Sequence, residues 1–168
     1  PIIIVSIVIS FFTTVIVTVF QTASMFNYIE IFRGEKEDID LSKDILRTFN
    51  DNSFWKIAAL TLVTQLIMFL LVLIPVVGWA IAIYLGFSWS QATYVLFDQL
   101  EEGRYSGVMG VLSESATMMK GLRGNYFIFK LSFFWWYVLY GISGGLAGFW
   151  TTPYLNMASI AYYENIGK

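Results

Sequence analysis

Three stretches of this 168-residue chain contain no Asp, Glu, Lys or Arg: residues 1–29, 57–97 and 131–163. In water each run would need burial on every side. A chain this short has too little interior for that, because surface outruns volume in small domains. Each run does match the requirement of a membrane, where about 20 apolar residues cross roughly 30 Å of hydrocarbon. Composition agrees: 57% of residues are hydrophobic and 13% charged, against about 25% charged in soluble domains, and mean hydropathy is +0.66. The expected fold class is an all-α integral membrane protein, a polytopic helical bundle in one domain.

The first run predicts one helix over about 2–32. The second is too long for one span and is interrupted at "LIPVVGW", where Pro75 and Gly78 mark a tight hairpin. It predicts helices over about 54–74 and 78–99. The third carries Gly141, Gly144, Gly145 and Gly148 in its middle, which favours two short helices, about 125–141 and 146–165, over one long one. Pro75 and Pro153 are the candidate hinges. Thr151 and Thr152 are placed to bond the carbonyls that Pro153 frees in its helix.

With five crossings, residues 33–56, residues 98–130 and the C-terminus fall on one face. All ten Lys and Arg residues and all twelve carboxylates fall there too. Cytoplasmic loops collect Lys and Arg, so this reading places that face in the cytoplasm of a cell whose cytoplasmic membrane holds the chain. Pro1 is then outside, and a further span upstream of it is expected. The apolar start has neither a basic leader nor a close cleavage site and does not read as a signal peptide.

Three span ends share a punctuation. "NYIEIFRG", "VLFDQLEEG" and "AYYENIG" each give an aromatic, a carboxylate (Glu30, Asp98 or Glu164) and then a glycine, as expected of helix C-termini at a membrane interface. A carboxylate at a helix C-terminus opposes the dipole, which leaves room for these acids to have another role. The first two ends precede amphipathic segments, about 39–50 and 106–120. Leu41, Ile45 and Phe49 form one stripe; Val108, Leu112, Ala116 and Met119 form the other, with Ser106 as N-cap. Both predict helices lying at the interface or packed under the bundle.

The chain has no Cys and no His, which removes disulfides, thiolate nucleophiles, Cys/His zinc sites and the commonest general base. No catalytic residue, metal or cofactor is expected. Ser and Thr in the spans should bond their own i−4 carbonyls. Gln65, Gln91 and Asn156 cost more in lipid and are candidates to pack helices together or to line a pathway. "GISGGLAG" is a glycine spacing within a span, not a phosphate loop. Met118 and Met119 are expected in packing. Trp55, Trp135, Trp136 and Trp150 should anchor the membrane interface rather than form a cage. Lys120, Arg123 and Lys130, at the cytoplasmic mouth of the fourth span, are candidates to bind lipid headgroups.

From Ser113 onward "SESATMMKGLRGNYFIFKLSFFWW" and "FWTTPYLNMASIAYYENI" resemble the end of the bacterial integral membrane proteins grouped as domain of unknown function 975. The resemblance is carried by Ser115, Met119, Lys120, Gly121, Arg123, Phe127, Leu131, Ser132, Phe133 and Trp136. It continues through Gly144, Gly145, Trp150, Pro153, Tyr154, Tyr162 and Tyr163. Leu122 and Gly124 depart from it, standing where the family tends to place polar residues. It implies a multi-pass protein best known from Gram-positive bacteria, usually with a cytoplasmic N-terminus and an upstream span, and transfers no catalytic residue.

These features predict a non-enzymatic membrane protein acting through lipids or protein partners, such as an accessory to peptide export or self-immunity. Its partners would be membrane lipids and another membrane protein, a transporter subunit or a second copy, and not nucleic acid. A transporter or channel for a small apolar or zwitterionic solute is the alternative. It requires Gln65, Gln91 and Asn156 to converge on one cavity. An interfacial lipid enzyme would need Glu30, Asp98 or Glu164 around a metal.

Overall fold

The structure, a computed structural model, describes residues 2–36 and 53–167. Those residues form eight helices and no strand. They are α1 (Ile2–Arg33), α2 (Phe54–Val72), α3 (Val77–Ser88), α4 (Ala92–Glu101), α5 (Gly107–Met118), α6 (Arg123–Ser132), α7 (Phe134–Ile142) and α8 (Gly148–Ile166). The amphipathic segment expected over 39–50 lies outside the described residues.

Helix α1 packs against α2, α4 and α8, while α5 lies across α2, α3 and α4. Their shared core holds Phe26, Ile29, Ile57, Val95, Leu96, Val111, Leu112 and Ile160. The amphipathic helix expected over 106–120 corresponds to α5, whose contacts are with α2, α3 and α4. Leu112 and Met119 of its predicted stripe are buried, joined by Val111 and Ser115.

Away from this core the apolar side chains face outward. Leu66, Phe69 and Leu73 of the α2 segment, Trp79 and Ile83 of α3, and Trp135 and Tyr137 of α7 are all exposed. Two helical segments, Phe12–Arg33 and Phe54–Val72, are long and apolar enough to cross a membrane. The pair α3 and α4 makes a third if its 40° bend is taken as a break within one span.

Two helices expected to be continuous are interrupted. The helix predicted over 78–99 breaks at Trp89–Gln91, and the one over 125–141 breaks at Phe133. A serine hydroxyl takes an i−3 carbonyl at each break. Ser90 Oγ donates to the Phe87 carbonyl at 2.9 Å and Ser132 Oγ to the Phe129 carbonyl at 2.6 Å. These i−3 bonds compete with the helical ladder. Within uninterrupted stretches hydroxyls bond i−4 carbonyls, as at Thr13, Thr14, Thr18 and Thr64.

The hinge prolines differ in kind. Pro75 lies in the α2–α3 turn, where Val77 N–H donates to the Pro75 carbonyl at 2.8 Å and Val76 takes φ 64°, ψ −67°, a γ-turn that is strained for a β-branched residue. Pro153 lies inside α8, which runs through it unbroken. Neither Thr151 nor Thr152 makes a side-chain hydrogen bond there, so the expected repair of freed carbonyls is not how α8 accommodates the proline. The α2–α3 turn also depends on Gly78, where a Cβ would meet the Leu71 carbonyl oxygen at 2.0 Å. Gly78→Ala is expected to destabilise the bundle by about 1–3 kcal/mol through overpacking. Thermal unfolding in detergent measures this, and an unchanged midpoint would contradict the close approach.

Candidate functional site: a charged end and a lysine-bearing cavity

Two of the repeated carboxylates converge. Arg33, in the last turn of α1, lies between these two, Asp98 and Glu164, and a further acid, Glu101. Its Nη2 reaches Asp98 at 2.7 Å, its Nε Glu164 at 2.8 Å and its Nη1 Glu101 at 3.1 Å. Phe97 lies under the guanidinium, 5.4 Å from ring centroid to Cζ. Tyr163 O–H donates to the other Asp98 oxygen. The C-terminal ends of α1, α4 and α8 are thus tied together, and a cation among them offsets three acids that would otherwise oppose the helix dipoles. Two of these ends close alike. Gly34 and Gly103 adopt φ 75° and 67°, and the next N–H bonds back to Glu30 and Gln99 at 2.9 and 3.0 Å, the Schellman arrangement that favours glycine. At the third end Gly167 keeps a helical φ of −78°.

A second ionic group adjoins the first around a shared cavity of about 380 Å³. Arg104 holds Glu114 with both terminal nitrogens, at 3.0 and 3.2 Å, and also pairs with Glu102. Fully buried Gln99 donates to Glu114 at 2.6 Å and accepts from the backbone and hydroxyl of Ser106. Ser106 therefore starts α5 through Gln99 rather than through a cap bond of its own. The hydrogen bonds from Arg104 hold the Glu114 carboxyl below its usual range, against an opposing effect of burial. A depressed carboxyl contributes stability in full above its unfolded value, near 4.3, and loses it as pH falls through the folded value. The stability difference between the protein and Glu114→Gln should therefore shrink as unfolding is measured from pH 7 to pH 3. A difference constant with pH would sink this assignment.

The three candidate headgroup cations part company. Lys120 is exposed in the α5–α6 turn. Arg123 folds inward, with Nε on Ser88 Oγ at 2.8 Å, Nη2 on the Ala116 carbonyl at 3.4 Å and Cζ 4.3 Å from the Tyr84 ring centroid. Ser115 Oγ donates to the Ser88 carbonyl at 2.9 Å, so Arg123 and Ser115 together satisfy the buried end of α3. Lys130 enters a cavity of about 450 Å³ between α1, α4, α6, α7 and α8.

The polar amides do not converge. Asn156 lines the Lys130 cavity. Gln91 is buried at the α3–α4 break, donates to Ser90 Oγ at 3.1 Å and leaves its Oε1 without a partner. Gln65 is half-buried on α2 and lines neither cavity. Trp55, Trp135, Trp136 and Trp150 are exposed on three different helices and form no cage. Among the described residues no group of three acids is arranged to hold a metal. Sequence reasoning missed Arg33 and Gln99. Arg33's only signal was its position beside the first repeated carboxylate. Gln99 had a stronger one, a polar residue in phase with buried Val95 and Leu96.

This architecture defines a class, an all-helical protein with helices long and apolar enough to cross a membrane and its described acids gathered at joined helix ends. The chain belongs to the family described as Protein of unknown function (DUF975), which residues 76–168 match. No curated protein and no solved structure matches the chain.

Proposed function

We propose that this chain is a non-enzymatic, multi-pass protein of the cytoplasmic membrane that acts through lipids and a membrane-protein partner, as an accessory to peptide export or self-immunity would. The carrying observation is the division of its surface. Acids and arginines pair with one another at the joined ends of α1, α4 and α8, while large apolar side chains face outward along α2, α3 and α7. Exposed apolar area of this extent belongs against lipid or another protein. Arg33, Asp98 and Glu164 lie together, which supports placing residues 33–56, 98–130 and the C-terminus on one side, and the Lys and Arg content of those loops supports the cytoplasm. A solute pathway is less well supported, because Gln65 lies away from the cavity that Asn156 lines and Gln91 reaches it only through Ser90.

Crosslinking in the native membrane, followed by purification and mass spectrometry, tests the reading. A membrane-protein partner recovered in stoichiometric amount, and lost when apolar residues of α2 or α3 are replaced, is expected. Recovery of the chain alone, with no partner at any crosslinker length, would overturn the partner half of the proposal.

A further inference from the structure

Among the described residues, none supplies a counter-ion to the cation in the Lys130 cavity. Lys130 Nζ donates to Ser159 Oγ at 3.2 Å, whose own proton goes to the Leu155 carbonyl at 2.8 Å. Its other neighbours are ring faces, with Tyr126 and Phe129 centroids at 5.3 and 5.9 Å. No carboxylate lines the cavity. The walls divide in character: Ser90, Thr93, Thr151 and Asn156 offer neutral polar groups, whereas Met25, Leu155 and Trp136 are apolar. A half-buried ammonium with one hydrogen bond has donors to spare and gains most from an anion.

The cavity does not end at the lysine. Tyr140 and Thr152 are shared with a second cavity of about 440 Å³, lined further by Tyr28, Gly145, Gly148, Phe149 and Pro153. Gly148 permits this junction, since a Cβ there would lie 2.8 Å from the Tyr140 ring. The cavity that holds the one cation thus continues into a shallower groove edged by the rings of Tyr28, Tyr140 and Phe149.

We infer that the paired cavities bind a single-headed anionic amphiphile, its phosphate or carboxylate on Lys130 and Asn156 and its acyl chain running past Tyr140 toward Phe149 and Pro153. An inorganic anion would leave the apolar walls unfilled, and a neutral lipid would leave Lys130 without a partner. The inference deepens the lipid half of the proposed function and rests on it only in requiring that the helices lie in a bilayer.

The test uses the whole chain in detergent, titrated with single-chain myristoyl lysophosphatidylglycerol in one arm and myristate in the other, with retained adducts counted by native mass spectrometry. One adduct per chain is expected, and the arm that retains it at the lower concentration identifies the head as phosphate or carboxylate. Lys130→Met should weaken retention at least about tenfold, the order lost with one charge-assisted hydrogen bond. Lys130→Arg should keep it, and Lys56→Gln, on α2 outside both cavities, should leave it unchanged. Equal thermal midpoints for the parent and Lys130→Met guard against misfolding as the cause. No adduct in either arm, or one indifferent to Lys130→Met, overturns the inference. Carbonate extraction of the parent from membranes separates the two failures, since a chain released by carbonate is not integral and the bilayer reading falls as well.

Discussion

Replacing Arg33 with Ala is expected to lower the stability of the folded bundle by about 2–3 kcal/mol, between the values for exposed and fully buried ion pairs. The side chain is 22% exposed and its three partners 17–43%, so solvent screens the group in part. The loss arises mainly from what remains, since Asp98, Glu101 and Glu164 would then repel one another at the joined helix ends with no cation between them. Arg33→Lys should recover less than half of it, because one ammonium cannot reproduce three directed bonds from a planar fork. Combining Arg33→Ala with Asp98→Asn should cost less than the sum of the two changes, with a coupling of about 0.5–3 kcal/mol in a double-mutant cycle. Thermal or denaturant unfolding in detergent reads each value. An Arg33→Ala protein within about 0.5 kcal/mol of the parent, the range of ordinary surface changes, would remove the group from any organising role.

What the sequence reveals here depends on whether a feature is local. The absence of charge over 57–97 and the Pro75–Gly78 hairpin are local, and α2 starts and stops, and α3 starts, near the expected positions. The breaks at 89–91 and at Phe133 are not legible in that way. Ser90 and Ser132, which stand at the two breaks, resemble in sequence Thr13, Thr14 and Thr64, which lie in continuous helix. Whether a hydroxyl takes the i−3 or the i−4 carbonyl depends on the surrounding packing, including the insertion of Phe133 into the interior.

The acids show the same division. Glu30, Asp98 and Glu164 are visible as a repeat, but their shared cation is a product of three-dimensional convergence. Two of the three repeated acids meet at Arg33, joined by Glu101, which the repeat does not include. Lys120, Arg123 and Lys130 form one cluster in sequence and three environments in the fold. Helix α8 illustrates the reverse. It is long enough to span, yet it is not among the helices that qualify by length and apolarity. Four of its polar residues, Thr151, Thr152, Asn156 and Ser159, line the Lys130 cavity. Its polarity answers to an interior, not to water.

Placing Asp at position 66 separates a bilayer from water as the surroundings of α2. Leu66 lies in the middle stretch of Phe54–Val72 and is 57% exposed, so it touches whatever surrounds the bundle. In water an exposed Leu→Asp change falls within about 0.5 kcal/mol of neutral. Within hydrocarbon a carboxylate near a helix centre costs about 2.5–3.5 kcal/mol, which is more than about a fiftyfold shift in insertion equilibrium. Leu66→Asp is therefore expected to reduce the inserted fraction sharply. Leu66→Ala should have a small effect, because lipid tails are as apolar as the leucine they would replace as neighbours. The contrast with Leu96, which is fully buried in the core, makes the test two-sided. Leu96→Ala should cost about 2–5 kcal/mol through the cavity it leaves without altering insertion. Membrane fractionation and detergent unfolding distinguish these effects, and a Leu66→Asp chain that inserts and unfolds like the parent would place α2 outside the bilayer.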